Sequence, residues 1–260
     1  MPELPEVETF RKYIEGTSLQ QKIVGFDCAD TRLLKKDREV FEEALIGQSF
    51  VDTQRIGKYL FLLTNGDDVL VMHFGMTGRP AYFRGLEERP KYAHIIYQFE
   101  NDFFLGFQNK RKFGWNDLTR DISAYQQAAG LSEDARSLSY THFLAAVQRR
   151  KTYIKPVLMD QSVAAGIGNW MADEILYQAQ VHPEKKVEDL DERHLQAIFE
   201  AMKRVIETAI DKEANYSDFP SEFFIHIRKT GESCHHTEGH IEKLTVGGRS
   251  TYYSPEWQQL

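Results

Sequence analysis

The chain has 260 residues, enough for about two domains at roughly 150 residues each, and its 42% apolar and 27% charged residues exclude a disordered protein. The net charge of −7 favours, on charge alone, a small-molecule enzyme, so any face that binds nucleic acid has to be local. With two cysteines, no secretory signal and no apolar run of ~18 residues, the sequence predicts a cytoplasmic protein without a disulfide framework or a membrane span.

Strand signals dominate the first half of the chain. Segments rich in Val, Ile, Phe and Tyr alternate with turn residues and predict strands within residues 48–63, 69–73 and 93–107. A helix is predicted from Glu6 to Gly16, ended by the glycine, and a second short helix is predicted from Phe41 to Ile46. These patterns indicate a β-rich α+β domain over residues 1–130.

The pattern changes after residue 130. Residues 131–139 are polar, have no hydrophobic period and predict a linker. Residues 140–214 predict a helical domain, because apolar residues recur at helical spacing at Leu195, Ile198, Phe199, Met202, Val205, Ile206 and Ala209. Residues 215–260 return to short strands around Gly247 and Gly248.

The N-terminus has residues suited to amine-based catalysis. Pro2 follows Met1, and a small second residue favours removal of the initiator methionine, which leaves a proline with a free secondary amine. Such an amine attacks an aldehyde-like carbon and forms an iminium ion. Glu3 is a candidate general acid, and Glu6 lies about one helical turn further on. The alternative is a helix start whose acids complement the helix dipole.

Three further clusters combine glycine with cations or apolar residues on predicted turns. Lys58 follows a glycine at the start of an apolar strand, where a solvated lysine is the alternative. Met76 lies between two glycines, and Arg111 and Phe113 belong to a basic stretch, residues 109–114, that ends at a glycine. Basic residues beside apolar wedges on loops are typical of proteins that push side chains into a base stack.

A turn bounded by Gly166 and Gly168 leads into a helix in the second half. Free backbone N–H groups at a helix start bind phosphate, and Asn169 adds a side-chain donor. A plain helix cap is the alternative. Glu174, about one and a half turns into the helix, is expected to be a surface acid unless it faces a site.

Taken in chain order, these clusters resemble one family. The sequence is similar to the formamidopyrimidine-DNA glycosylase and endonuclease VIII family, and Leu4 indicates the formamidopyrimidine branch. The resemblance covers almost the whole chain. It rests on Pro-Glu-Leu-Pro-Glu-Val-Glu (2–8), Gly-Lys-Tyr-Leu (57–60), His-Phe-Gly-Met-Thr-Gly (73–78), Arg-Lys-Phe-Gly (111–114), Gly-Ile-Gly-Asn-Trp-Met-Ala-Asp-Glu (166–174) and Gly-Gly-Arg-Ser-Thr-Tyr-Tyr (247–253).

The resemblance implies a bifunctional DNA glycosylase and abasic-site lyase. Pro2 would be the nucleophile that attacks C1′ of a damaged nucleotide, and Glu3 would protonate the sugar ring oxygen. Glu6 and Glu174 would support the amine and the flipped sugar. After the base leaves, the iminium ion acidifies the neighbouring protons, so the strand is cut by β- and then δ-elimination.

The resemblance also implies a DNA interface. Lys58, Asn169 and Arg249 would hold phosphates around the lesion. Three residues would fill the gap left by the extruded nucleotide: Met76, Arg111 and Phe113. Extrusion costs about a few kcal/mol, and the filling side chains would offset part of that cost. The expected partner is damaged double-stranded DNA, bound by a monomer that is nucleoid-associated when on DNA. No cofactor is expected.

The implied fold is α+β. A β-sandwich-like N-terminal domain would be followed by a helix–two-turn–helix domain over residues 140–214 and a finger-like β-hairpin over residues 215–260. The common family member has a four-cysteine zinc site in this hairpin. Here Cys234 alone matches, because the other three ligand positions hold Thr237, Ser254 and Trp257. One ligand of four cannot form a structural zinc site, so we expect a zincless hairpin; the alternative is a rebuilt site from Cys234, His235, His236 and His240.

Three other features depart from the family pattern. Between Asp211 and Ile227 the formamidopyrimidine branch has a longer Gly/Ser/Thr-rich loop that closes over 8-oxoguanine, whereas residues 212–220 here are short and aromatic. The sequence therefore does not favour 8-oxoguanine and leaves ring-opened purines, oxidised pyrimidines and abasic sites open. Asn109 and Lys110 stand where the family tends to have Asp-Pro, with an effect that the sequence does not predict. The net charge predicts weak non-specific DNA binding that low salt favours.

Two other functions stay open at this level. One is a non-catalytic protein that binds lesions or abasic sites on the same scaffold, although pure binding needs no amine or acid–base chemistry. The other is a small-molecule enzyme with an N-terminal proline, which leaves the wedge residues and the glycine-bounded turn unexplained.

Overall fold

The first helix begins earlier and ends later than the sequence predicts. In the computed structural model, which describes residues 1–259, helix α1 covers Leu4–Ser18. Gly16 does not end the helix, because its φ is not positive and it therefore does not act as a left-handed cap. Val7 and Ile14, two turns apart, are fully buried and fix the inner face of α1.

The chain divides into two compact units, which are described separately. Unit 1 holds residues 1–2 and 6–129, and unit 2 holds residues 3–5 and residues 130 onward. Among the described residues, no helix has the length and apolar character needed to cross a membrane.

Unit 1 is built on two antiparallel four-stranded sheets. The first has the strand order β1-β6-β7-β5 and the second the order β2-β3-β4-β8. The strands are β1 (Ile23–Cys28), β2 (Phe50–Ile56), β3 (Tyr59–Thr64), β4 (Val69–His73), β5 (Gly78–Arg84), β6 (Ala93–Phe99), β7 (Phe103–Asn109) and β8 (Trp115–Thr119). Helix α2 (Arg38–Leu45) precedes β2, and helix α3 (Ile122–Ala128) follows β8.

Both sheets contribute to one hydrophobic core. Phe26 and Tyr97 from the first sheet and Phe50 and Leu60 from the second belong to the same buried cluster. The predicted strand region 48–63 forms two strands, separated at Gly57, whose φ of 58° suits a tight turn. The β-sandwich-like domain is therefore confirmed, although β1, β5 and β8 are not apparent from the sequence pattern.

Unit 2 begins with helices packed around their own core. They are α4 (Tyr140–Gln148), α5 (Ile154–Met159), α6 (Asn169–Gln178) and α7 (Glu192–Asp211). The predicted apolar stripe of α7 is buried, including Leu195, Ile198 and Met202. Asp191 caps α7 by accepting a hydrogen bond from the backbone N–H of His194.

A two-stranded hairpin near the C-terminus completes the α+β fold. Strand β9 (Glu242–Val246) pairs with β10 (Arg249–Tyr253) through a turn in which Gly247 and Gly248 have φ values of 55° and 73°. Two consecutive positive φ values suit the turn type that matches the twist of a two-residue hairpin. The predicted hairpin around these glycines is confirmed.

Candidate functional site

The start of α1 and the turn between β2 and β3 are fixed to each other in unit 1. Pro2 is partly exposed just before α1, and Glu6 lies in its first turn. Arg55, at the end of β2, donates to Glu8 Oε2 (2.7 Å) and to the backbone carbonyl of Gly57 (3.1 Å). Because that carbonyl directly precedes Lys58, Arg55 sets the position of the lysine turn against α1.

The carboxylate that anchors this contact is buried and charged. Glu8 also accepts from Arg11 Nη2 at 2.7 Å. Burial raises the pKa of Glu8, but the hydrogen bonds and charges of Arg11 and Arg55 outweigh burial and lower that pKa from 4.5 to about 2. Glu8 is therefore a fixed anion at neutral pH.

His73, at the end of β4, is a candidate site residue that sequence reasoning missed. Its ring stacks on Trp115 with centroids 5.2 Å apart and lies 5.0 Å from the ring of Tyr59. Burial, assisted by the charges of Lys58 and Lys35, lowers the pKa of His73 to about 4. Because Nδ1 accepts from the backbone N–H of Gly75 (3.3 Å), the proton of this neutral ring is on Nε2, a donor close to the Lys58 charge.

Two loops at one end of the first sheet present the predicted gap-filling residues; we call residues 74–78 and 109–114 the wedge loops. Met76 is 37% exposed and Phe113 is 55% exposed. The guanidinium of Arg111 lies 5.0 Å from the centre of the Phe113 ring. The wedge loops therefore combine two exposed apolar side chains with three cations, Lys110, Arg111 and Lys112.

Close backbone contact holds the wedge loops together. Gly75 has a φ of 59°, and a Cβ on it would lie 2.4 Å from the backbone of Phe113 and of Gly114. The hydroxyl of Thr77 accepts from the backbone N–H of Arg111 at 3.0 Å. Glycine is required at position 75 both for its backbone conformation and for this approach.

Asn109, one of the departures from the family pattern, has a defined role in these loops. It is fully buried, its Nδ2 donates to the carbonyl of Phe74 (3.3 Å), and its Oδ1 accepts from the hydroxyl of Thr77 (3.3 Å). An amide both donates and accepts, whereas an ionised aspartate only accepts. Asn109 thus connects the two wedge loops through groups that an ionised aspartate does not reproduce.

In unit 2, Glu3 occupies the N-terminus of α6. Its carboxylate accepts from the backbone N–H groups of Trp170 (3.0 Å) and Met171 (3.3 Å). A Cβ on Gly168 would lie 2.2 Å from the Glu3 carboxyl carbon, so the glycine makes room for the acid. The expectation of free N–H groups at this helix start is therefore wrong for residues 170 and 171, because a carboxylate of the chain itself already complements the helix dipole.

Asn169 and Arg249 lie on elements that contact each other in unit 2. Asn169 Nδ2 donates to the carbonyl of Ser250 at 3.1 Å, while its Oδ1 is buried without a hydrogen-bond partner among the described residues. Arg249, the preceding residue, is exposed at the hairpin turn. The hairpin backbone beside Arg249 is thus attached to the start of α6.

A buried ionic network, which sequence reasoning also missed, strengthens this attachment. Lys155 Nζ lies 2.7 Å from Asp173 Oδ1 and donates to the hydroxyl of Thr251 at 2.6 Å. Arg228 Nη2 lies 2.6 Å from Asp173 Oδ2, which also accepts from the backbone N–H of Tyr252 at 3.3 Å. Side chains from α5, α6 and residue 228 therefore converge on β10.

Glu174 is fully buried and is therefore not an ordinary surface acid. It accepts from the backbone N–H groups of Phe224 (3.0 Å) and Ile225 (2.9 Å) and from Gln178 (2.7 Å). Burial raises the pKa of Glu174 to about 7, although these hydrogen bonds oppose the rise. The side chain fixes the segment that contains the short 3-10 helix Phe224–His226.

The cysteine of the hairpin region lies in an aromatic environment. Cys234 Sγ is 3.3 Å from the hydroxyl of Tyr177, and the ring of His236 stacks on Trp257 with centroids 4.2 Å apart. Burial raises the pKa of Cys234, but the neighbouring hydroxyl groups of Ser254 and Tyr177 lower it to about 7. Over residues 1–259, no group of three or more His, Cys, Asp or Glu side chains is arranged to hold a metal ion.

The short segment 212–220 is packed against the start of α6. The ring of Tyr216 lies 5.4 Å from that of Trp170, and the buried ring of Phe219 lies 6.0 Å from it. These contacts attach the segment to the helix start that also holds Glu3.

The predicted site residues are divided between the units. Unit 1 contains Pro2, Glu6, Lys58, Met76, Arg111 and Phe113. Unit 2 contains Glu3, Asn169, Glu174 and Arg249.

Comparisons with known proteins match this arrangement. Residues 1–116 match the formamidopyrimidine-DNA glycosylase N-terminal domain, and residues 130–221 match the formamidopyrimidine-DNA glycosylase H2TH domain. The chain is 33% identical to a formamidopyrimidine-DNA glycosylase of Arabidopsis thaliana, over 100% of this chain and 71% of that protein. It is also 33% identical to a formamidopyrimidine-DNA glycosylase of Herpetosiphon aurantiacus, over 99% of this chain and 100% of that protein.

Solved structures extend the similarity to the fold. The Lactococcus lactis enzyme in complex with DNA containing an abasic site has a TM-score of 0.90 at 28% identity, over 99% of this chain and 100% of that one. MutM in complex with DNA containing carbocyclic 8-oxo-G has a TM-score of 0.90 at 28% identity, over the full length of both chains. The resemblance inferred from the sequence is confirmed, and the chain belongs to the formamidopyrimidine-DNA glycosylase family.

Proposed function

We propose that this protein is a DNA glycosylase and abasic-site lyase of base excision repair that uses Pro2 as its nucleophile. The observation that carries the proposal is the pair Pro2-Glu3, in which the carboxylate next to the amine is fixed by two backbone donors of α6. Family membership supports the glycosylase reaction, because the relatives are named formamidopyrimidine-DNA glycosylases. Damaged double-stranded DNA as partner is supported by the DNA in the similar solved structures.

The chemistry begins once Met1 has been removed. The amine nitrogen of Pro2 attacks C1′, the bond from C1′ to the base breaks, and the leaving base takes a proton from solvent. The Glu3 carboxylate then takes the proton of the attached amine and gives it to the ring oxygen as the bond from C1′ to that oxygen opens. The product is an iminium ion between Pro2 and C1′.

Strand cutting follows from the electron demand of the iminium ion. Loss of a C2′ proton expels the 3′ phosphate, and loss of a C4′ proton then expels the 5′ phosphate. Hydrolysis of the remaining iminium ion returns the Pro2 amine. Glu6, in the first turn of α1, supports the amine.

Glu174 acts through another segment in this proposal. Because its carboxyl is buried against the backbone of residues 224 and 225, it is a positioning residue for that segment and does not touch the sugar. The ring of Trp170 contacts Tyr216 in the short segment 212–220. Because this segment is too short to close over 8-oxoguanine in the way of the longer loop, the proposed substrates are ring-opened purines, oxidised pyrimidines and abasic sites.

The DNA interface has two parts in the proposal. Lys58, Asn169 and Arg249 hold phosphates around the lesion, and His73 Nε2 adds a neutral donor near Lys58. The wedge loops fill the gap left by the extruded nucleotide with Met76, Arg111 and Phe113. The exposure of these three side chains supports that role. One monomer per lesion is sufficient.

Borohydride trapping on a duplex with one abasic site tests the proposal. Protein whose first residue is Pro2, as verified by mass spectrometry, is expected to give a covalent adduct that peptide mapping assigns to Pro2. Protein that retains Met1 is the matched control, because its Pro2 nitrogen is an amide and gives no adduct.

Two results would overturn the proposal in different parts. An adduct on Lys58 would keep the lyase reaction but assign the nucleophile to a different amine. No adduct from protein that begins at Pro2, together with retained binding to the abasic duplex, would leave a lesion-binding protein on the same scaffold.

A further inference from the structure

Lys112, within the second wedge loop, has a backbone conformation that lysine rarely adopts. Its φ is 56°, in the left-handed region where glycine and asparagine are the usual residues, so the conformation persists only where surrounding contacts hold it. The backbone N–H of Lys112 donates to the carbonyl of Asn109 at 3.3 Å, which closes a tight turn. On either side of Lys112, the guanidinium of Arg111 lies 5.0 Å from the centre of the Phe113 ring. The conformation of Lys112 therefore decides how this gap-filling pair is presented.

A carboxylate from a distant part of unit 1 holds the side chain of Lys112. Lys112 Nζ donates to Asp30 Oδ2 at 2.7 Å, and the side chain of Asp30 is 10% exposed. Arg32 donates to both oxygens of the same carboxylate, at 2.8 and 2.7 Å. The guanidinium of Arg32 and the ammonium of Lys112 hold the pKa of Asp30 well below its usual range. Asp30 is thus an anion at neutral pH and is shared between its own segment and the wedge loop.

The segment that contains Asp30 is fixed on both sides. Before it, the backbone N–H of Ala29 donates to the carbonyl of His94, in β6, at 2.8 Å. After it, the backbone N–H of Lys35 donates to the carbonyl of Asn116, in β8, at 2.9 Å. One strand from each sheet therefore holds residues 29–35, so that Asp30 is a rigid point of attachment for the more exposed Lys112.

We propose that Asp30 is a positioning residue for gap filling, which fixes Arg111 and Phe113 for insertion through its contact with Lys112. The inference rests on the proposed function, because it takes these two side chains as ones that fill the gap. Asp30 itself does not touch DNA. Because the ion pair holds the loop in one conformation before DNA binds, less conformational entropy is lost when the loop inserts.

The opposite consequence would follow if Lys112 itself served as a phosphate ligand. Asp30 would then compete with DNA for the ammonium group, and removing Asp30 would strengthen binding. The left-handed backbone of Lys112 and the two-sided attachment of residues 29–35 favour positioning, because a side chain that only binds phosphate requires neither. The two roles predict effects of opposite sign, which makes them separable by experiment.

The fluorescence of 2-aminopurine tests this assignment. The probe is a duplex in which 2-aminopurine stands opposite a tetrahydrofuran analogue of an abasic site, so side chains that enter the gap change its stacking and its fluorescence. The rate of this change is measured by stopped flow at saturating protein. D30N is expected to slow it by about fivefold, the upper end for a partly exposed ion pair. Asparagine keeps a side-chain oxygen that can cap the 3-10 helix Thr31–Leu33, so D30N removes the charge and not the cap.

The two cations around Asp30 supply a matched pair of variants. K112Q and R32Q each remove one partner of Asp30 and one positive charge, but only K112Q breaks the contact with the wedge loop. K112Q is expected to slow gap filling as D30N does, whereas R32Q is expected to keep the wild-type rate. D30N/K112Q is expected to be no slower than either single variant, because both changes remove the same contact. K112R keeps the charge and is expected to restore the rate.

Three results would overturn the inference. One is an equal rate for K112Q and R32Q. Another is tighter binding of the probe by D30N together with weaker binding by K112Q, which would identify Lys112 as a phosphate ligand that Asp30 restrains. The third is faster hydrogen exchange throughout unit 1 in both D30N and K112Q, since the inference predicts an increase in residues 109–114 alone.

Borohydride trapping on a duplex with a natural abasic site reports on the proposed function separately. Adducts with the wild type, but equal rates for K112Q and R32Q on the fluorescent probe, would reject the role of Asp30 and keep the lyase. No adduct with the wild type, but the expected rates for the variants, would reject the lyase and keep the role of Asp30. No change in fluorescence with the wild type would reject gap filling itself, and the inference with it.

Discussion

Two buried glutamates, one in each unit, show how the partners of a carboxyl group decide its charge. Glu8 in unit 1 and Glu174 in unit 2 are both almost fully inaccessible to solvent. Glu8 has two guanidinium partners, and its pKa falls to about 2. Glu174 accepts from backbone N–H groups and one amide, and its pKa rises to about 7.

The difference teaches that neutral hydrogen bonds alone do not offset the cost of burying a charge here. Two cations do so for Glu8, which therefore holds α1 and the Lys58 turn together as a permanent anion. Glu174 holds the 224–225 backbone with a group that gains a proton near neutral pH. The same residue type thus gives the two units opposite responses to pH.

Replacing Asp173 tests the role of cationic partners, and it is the substitution with the largest expected loss of stability. D173N leaves the buried Lys155 ammonium without its counter-ion, so the free energy of unfolding of unit 2 is expected to fall by about 3–5 kcal/mol. Peptide-resolved hydrogen exchange measures this loss in unit 2. The matched control is D211N, whose ion pair with Lys212 is exposed and is expected to change stability by less than about 1 kcal/mol.

A double variant sharpens the same test. K155M/D173L removes the two fully buried charges and is expected to be less destabilised than D173N, because only the partly exposed Arg228 guanidinium then lacks its partner. Equal losses for D173N and D211N would show that the buried network contributes little to the stability of unit 2.

The Glu8 side of the comparison predicts a loss of stability in acid. The pKa of Glu8 is about 4.5 in the unfolded chain and about 2 in the folded one, so its contribution is complete above pH 4.5 and is lost as the pH falls through 2. By linkage the contribution is about 3 kcal/mol. E8Q is expected to make the stability of unit 1 less dependent on pH between about pH 5 and pH 2, as measured by hydrogen exchange. A curve as steep as that of the wild type would assign the acid sensitivity to another group.

The Glu174 side predicts the opposite sign. Its pKa is raised from 4.5 to about 7 on folding, so its contribution is complete below pH 4.5 and is lost as the pH rises through 7. The expected change is about 3 kcal/mol in the stability of unit 2. E174Q does not titrate and is expected to remove this dependence, with a constant offset because one backbone N–H loses its acceptor. If E174Q keeps the dependence, the titrating group lies elsewhere in unit 2.

The sequence predicts the exposed parts of the candidate site better than the buried ones. Turns beside glycines contain Lys58, Met76 and Phe113, and such turns can be predicted from the local sequence alone. The stripe of α7 is equally clear because its period lies within one element. These predictions require no knowledge of distant contacts.

The buried charges are hidden for the converse reason. Lys155, Asp173 and Arg228 are distant in sequence, and each alone resembles a solvated surface charge. Judged from its own helix, Glu174 resembles a surface acid, because nothing in that helix shows that residues 224 and 225 supply donors. Glu3 likewise looks like a free acid before a helix, whereas its acceptor role depends on a helix start far along the chain.

Charged contacts hold distant segments together around Glu8 and Asp173. Two glycine variants test whether close backbone contact holds the wedge loops together in the same way. Gly75 and Gly47, both in unit 1, have φ values of 59° and 90°, but a Cβ on Gly75 would lie 2.4 Å from the Phe113 backbone, whereas one on Gly47 meets nothing within 4 Å. G75A and G47A therefore share the cost of a left-handed alanine, about 1–2 kcal/mol, and only G75A has to separate the loops. The additional loss of stability in unit 1 is expected to be about 1–3 kcal/mol. Hydrogen exchange in residues 109–114 is expected to increase in G75A alone; equal exchange in the two variants would mean that the wedge loops stay together without this approach, through Asn109 and Thr77.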